Sequence, residues 1–154
     1  MSRMRNKIIW TVVILWAAYG SGWGQTAVNG ADILLEPGWR QIYDDYLPDA
    51  GSIEKLKTRV AGLRVEVYFG FWCDDSKNHL PLFLKIIDSL NAPEFKVDFF
   101  EVARKSADGQ RYYVEDLLVE KVPTFIFYAN DIEIGRIIEN PKDSILGDMM
   151  QIIL

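Results

Sequence analysis

One cysteine and one histidine in 154 residues remove most of the covalent and metal chemistry available to a small protein. A lone Cys73 excludes an intramolecular disulfide framework. It also excludes all-thiolate zinc sites and all-thiolate iron-sulfur clusters. Asp74, Asp75 and His79 lack a fourth ligand, so no metal and no cofactor is expected. Positive charge is scarce as well. Three of the 17 basic residues, Arg3, Arg5 and Lys7, precede an apolar run, leaving 14 against 22 acidic residues beyond residue 24, a net charge of −8. So acidic a domain is a poor nucleic-acid binder, and none is expected as a partner. The 11 glycines follow no phosphate-loop or dinucleotide spacing. No repeat, low-complexity tract or internal boundary appears, and the length suits one domain.

No run reaches the ~20 apolar residues of a membrane span. Ile8 to Tyr19 comprises twelve residues, preceded by a basic stretch and followed by the mostly small Gly20 to Gly24. This is the three-part plan of a secretory signal peptide. Residues 1–24 are therefore read as a signal and 25–154 as the exported domain, periplasmic or extracellular. An uncleaved anchor is the alternative, and a membrane is a partner only in that case. Gly20, Gly24 and Ala27 leave the cleavage point open. An oxidising compartment exposes a lone thiol to mixed disulfides and oxidation.

Beyond a lead-in over Gln25 to Pro37, Trp39, Ile42, Tyr43 and Tyr46 recur at helical spacing. Ser52 is placed as the cap of a second helix, with Ile53, Leu56 and Val60 on one face and an end near Gly62. Leu63 to Phe71 is nearly all apolar, β-branched or aromatic, and reads as a strand buried on both faces. From Ser76 the period becomes helical, with Leu80, Phe83, Leu84, Ile87 and Leu90 on one stripe and a kink expected at Pro81. Phe95 to Val102 is a second strand, followed by a turn at Ala107-Asp108-Gly109 and a weak helical segment to Leu118. Thr124 to Ala129 and Ile132 to Ile138 form an antiparallel hairpin around Asn130-Asp131, residues that tolerate positive φ. Asn140 and Pro141 open a closing helix with Ile145, Met149, Ile152 and Ile153 on its buried side. This order implies an α/β fold, a mixed central sheet flanked by helices on both faces.

Cys73 falls between the buried strand and the amphipathic helix, in Trp72-Cys73-Asp74-Asp75-Ser76. Free N–H groups and the helix dipole favour a thiolate there, while Asp74 and Asp75 oppose it. A moderately activated thiol is expected; the alternative is a buried, inert cysteine. His79 lies six residues on, about 600° around the helix, so it occupies another face and reads as a surface residue.

The stretch from Val65 to Leu90 resembles the active-site strand and helix of the thioredoxin superfamily, W-C-x-x-C with a proline five residues on. Trp72, Cys73 and Pro81 match, and Val122-Pro123-Thr124 resembles that family's cis-proline before the hairpin. The resemblance covers about Leu63 to Leu154. It implies a thioredoxin-like fold with Cys73 as nucleophile, Trp72 walling the site, Pro123 lining a substrate groove and the Val122 backbone pairing with an extended peptide. Trp72 as core packing and Pro123 as a fold element are the plainer readings. Two departures bear on activity. Ser76 stands where the resolving cysteine would be, so the chain is a monothiol C-x-x-S variant, and its hydroxyl can at most hydrogen-bond the thiolate. Val67 replaces the family's buried proton-transfer aspartate, and strand alternation turns Glu66 to the other face.

The implied function is monothiol thiol-disulfide exchange, isomerase-like or acting on mixed disulfides. Its substrates would be exported proteins or small-molecule thiols and disulfides, with an external thiol resolving the adduct. The alternative is a redox-inactive peptide- or protein-binding module of the same fold. A dimer bridged through Cys73 is conceivable only under oxidation.

Overall fold

The computed structural model describes residues 25–104 and 117–154. The signal-like leader and most of the segment from Ala107 to Leu118 lie outside the described residues. The elements are β1 (Gln25–Val28), α1 (Gly30–Ile33), α2 (Trp39–Asp45), α3 (Ala50–Lys57), β2 (Leu63–Phe69) and α4 (Asp74–Leu90). They are followed by β3 (Lys96–Val102), β4 (Thr124–Ala129), β5 (Ile132–Ile138) and α5 (Ile145–Ile153). The strands form one mixed sheet in the order β1-β3-β2-β4-β5. β2 is parallel to β3 and antiparallel to β4, so the end of β2 lies beside the start of β4. That pairing alone brings the segment after Phe69 next to the segment before Thr124.

Alternation along the strands builds two cores. Val65, Val67 and Phe69 of β2, with Phe125 and Phe127 of β4, face the larger one, to which all five helices among the described residues contribute buried residues. Tyr68, Val102, Val119, Ile126 and Tyr128 form a smaller cluster on the opposite face. α4 buries a broad flank, Leu80, Pro81, Phe83, Leu84, Ile86 and Leu90, against the larger core. Each fully buried side chain of this size contributes ~1.5–3 kcal/mol by leaving water. Trp39 of α2 packs edge-on against Phe69 at 6.4 Å and tilts onto Phe71 at 5.5 Å, directly behind the β2-to-α4 handover. Tyr43 of α2 fixes the other end by donating to Asp88 of α4 at 2.5 Å.

The hairpin matches the sequence reading residue for residue. Asn130 and Asp131 take φ of 50° and 62°, the left-handed pair a two-residue turn demands. Four expectations are corrected. The lead-in contains a strand, β1, pairing antiparallel with β3 from Gln25↔Val102 to Val28↔Phe99. The cap of α3 is Asp49, whose carboxylate accepts the Ser52 N–H at 2.8 Å, and that helix ends at Lys57. α4 begins at Asp74 with Cys73 as its N-cap, two residues before Ser76. α5 is capped by Ser144, whose hydroxyl accepts the Gly147 N–H at 3.0 Å, and not by Asn140.

On the smaller face Glu66 is the hub of a polar cluster. Arg64 ion-pairs with it, and the Tyr68 and Tyr128 hydroxyls each donate to its Oε2 at 3.1 Å. The Arg64 guanidinium lies 4.2 Å from the centroid of the Tyr128 ring. Burial, reinforced by the Glu66 charge, pushes the Tyr128 phenol up to about 12 and raises that of Tyr68 further. In the unfolded chain these phenols ionise near 10. Above that pH the unfolded state holds fewer protons than the native one, so stability is complete below 10 and declines as pH climbs toward 12. Urea unfolding across this window is expected to show a shallower decline for Tyr128→Phe than for wild type; equal slopes would contradict the buried cluster.

Candidate functional site

The site is assembled where β2 hands over to α4. Gly70 closes a turn by accepting the Cys73 N–H at 3.0 Å, and Cys73 in turn accepts the Lys77 N–H at 3.0 Å as α4 begins. The thiol therefore stands at the helix N-terminus, with Asp74 and Asp75 in the first turn. Across from it, the Val122–Pro123 peptide is cis. The Cys73 Sγ donates to the Val122 carbonyl at 3.2 Å, and Cys73 is half-buried. Two of the residues singled out in the sequence, Cys73 and Val122, are thus in direct contact, with Pro123 next to them.

Ser76 is placed differently from Cys73. It is fully buried, and its hydroxyl accepts the Gly70 N–H at 3.3 Å, so its recorded bond goes to the turn and not to the thiol. Leaving a buried N–H without an acceptor costs ~1–3 kcal/mol, which gives this serine a structural task. Val67 is buried in the larger core and Glu66 is engaged on the opposite face, so neither supplies a carboxylate beside Cys73.

Trp72 is 41% exposed and flanks the thiol. Its Nε1 donates to the Val102 carbonyl at the end of β3, at 2.9 Å, and the Arg104 guanidinium lies 5.8 Å from its ring. The ring lies across Gly70, where a Cβ would come within 2.6 Å of Trp72 Cε2. Only glycine leaves room for that indole. Gly70 was not singled out in the sequence, because a close approach leaves no trace in local pattern.

The proline segment is clasped from behind. The Pro123 carbonyl accepts the Glu139 N–H at 2.7 Å, and Lys121 ion-pairs with the Glu139 carboxylate at 2.5 Å. Glu139 adopts a φ of 60°, a tight reversal just after β5. His79, expected at the surface, is instead half-buried, and its Nε2 lies 3.0 Å from Asn140 Oδ1.

Comparison with known proteins bears on the fold. Neither a protein-family model nor a curated protein sequence matches the chain. Among solved structures, a protein of unknown function from Pseudomonas aeruginosa aligns with a TM-score of 0.52 at 15% identity, covering 80% of each chain. A thioredoxin from Schistosoma mansoni aligns at 0.42 and 21% identity over 69% of this chain and 92% of that one. Mitochondrial thioredoxin 3 from Saccharomyces cerevisiae aligns at 0.40 and 21% identity, over 71% and 97%. The sheet order and the order of strands and helices are those of a thioredoxin-like α/β fold.

Replacing Gly70 with alanine is expected to push the Trp72 ring off the turn and break its bond to Val102, destabilising the protein by ~1–3 kcal/mol. In NMR spectra the Trp72 indole N–H should shift and exchange faster with solvent. An unmoved indole signal in this variant would contradict the packing described.

Proposed function

We propose that this chain is an exported monothiol protein that exchanges disulfides through Cys73. The observation that carries this reading is the 3.2 Å contact between the Cys73 thiol and the Val122 carbonyl. It sets the sulfur against the bent segment that carries the cis-proline and leads into β4. In the free protein the Val122 carbonyl is taken by the S–H. Once sulfur enters a disulfide that proton is gone, and the carbonyl is free to accept an N–H from an extended substrate. Substrate docking and bond exchange then favour one another.

The chemistry balances without an oxidant. The Cys73 thiolate attacks one sulfur of a substrate disulfide, a new Cys73 mixed disulfide forms, and the other substrate sulfur leaves as a thiolate that takes up a proton. One disulfide replaces another. Ser76 carries no thiolate, so the adduct persists until an external thiolate attacks it, generating a new disulfide and restoring Cys73. Trp72 and Pro123 wall the groove. Disulfides of exported proteins are the proposed substrates, with small-molecule disulfides as simpler ones, and the basic-apolar-small leader is the proposed export signal. A redox-inactive peptide-binding module would use the same groove. The inward bond of Ser76 favours that second reading to the extent that a peptide holds on without the sulfur, so undiminished peptide affinity in Cys73→Ser would select it.

Two outcomes test the exchange reading. A cysteine peptide carrying thionitrobenzoate as its disulfide partner is expected to release the dye about tenfold faster than a small symmetrical aromatic disulfide, because docking positions the bond. Equal rates would contradict a substrate groove. Ser76→Cys, in a variant shown to be folded, should close an internal disulfide and expel the bound peptide; an adduct as long-lived as in wild type would contradict the site geometry.

A further inference from the structure

We infer that His79 is a positioning residue that ties the thiol-bearing helix to the clasp behind Pro123. This inference rests on the proposed use of the groove and adds a residue to it. The chain of contacts is continuous. Cys73 caps α4, and His79 lies on that helix. Its Nε2 meets Asn140 Oδ1 at 3.0 Å, across 61 residues of sequence. The neighbouring residue, Glu139, holds the proline segment twice, through its N–H on the Pro123 carbonyl at 2.7 Å and its carboxylate on Lys121 at 2.5 Å. The segment so held presents the Val122 carbonyl to Cys73 Sγ. One loop therefore has a grip on each wall of the groove, and the histidine is its grip on the helix.

The direction of the His79 bond follows from its partner. A carboxamide oxygen only accepts, so the Nε2 N–H is the donor in this contact. Nδ1 is shielded from solvent and has no hydrogen-bond partner among the described residues. Among the described residues the imidazole is anchored at its Nε2 end alone, and a side chain that presents an N–H donor at that position should replace it. Glutamine does so; alanine does not.

The experiment measures amide exchange at Glu139 together with the rate ratio between the cysteine-peptide dye disulfide and the small aromatic disulfide. His79→Ala and Asn140→Ala are each expected to speed Glu139 exchange about tenfold, since the bond to Pro123 opens more often. His79→Gln should stay near wild type. In the two alanine variants the rate ratio should fall about tenfold, the peptide probe suffering because it alone needs the aligned segment. The double alanine variant should lose no more than either single one. Unchanged Glu139 exchange in both alanine variants would overturn the coupling. Faster exchange with an unchanged ratio would overturn its role at the groove. A wild-type protein that fails to prefer the peptide probe would refute the exchange reading, while Glu139 exchange would still decide whether His79 holds the clasp.

Discussion

The contact between the Cys73 thiol and the Val122 carbonyl joins residues 49 positions apart, and most of the fold can be understood as what is needed to make it. Antiparallel pairing of β2 with β4 puts the exit of one strand beside the entry of the other. Burial of Val65, Val67 and Phe69 against Phe125 and Phe127 fixes that register, because a slip by one residue would turn each apolar set to the wrong face. Helix α4 then starts where its N-cap is the cysteine, and the Trp39 ring packs behind the turn.

Around that contact, polar groups are used sparingly and for distinct ends. Ser76 satisfies the Gly70 N–H inside the turn, and Trp72 reaches across Gly70 to the end of β3. Glu139 holds the proline segment from the other side. On the far face of the sheet, Glu66 gathers Arg64, Tyr68 and Tyr128 into a cluster that pins β2 to β4 without touching the thiol. A strand that alternates between a dry face and a hydrogen-bonded one is resistant to sliding, and it is at the end of this strand that the turn carrying Cys73 sits.

Much of this was legible in the sequence where local chemistry determines structure. The hairpin was readable because Asn130 and Asp131 accept a backbone that other residues resist, and α4 because its apolar spacing runs for many turns. The junction at Cys73 followed from a buried strand meeting that period. What escaped was decided at a distance. β1 is four residues of mixed polarity whose strand character comes from β3 alone. Asn140 looked like a helix cap, yet its side chain meets His79, while Ser144 caps the helix. Asp49 displaced Ser52 as a cap because either residue type serves and the chain direction selects. The inward turn of Ser76 depends on the Gly70 N–H, which no spacing rule announces.

The most direct measurement is the structure of Cys73 joined by a disulfide to a short cysteine peptide. The expected result is a peptide lying extended along the proline segment, its backbone N–H within hydrogen-bond distance of the Val122 carbonyl that the thiol has vacated. A peptide attached at Cys73 but directed away from Val122 and Pro123 would contradict the groove and the exchange chemistry built on it.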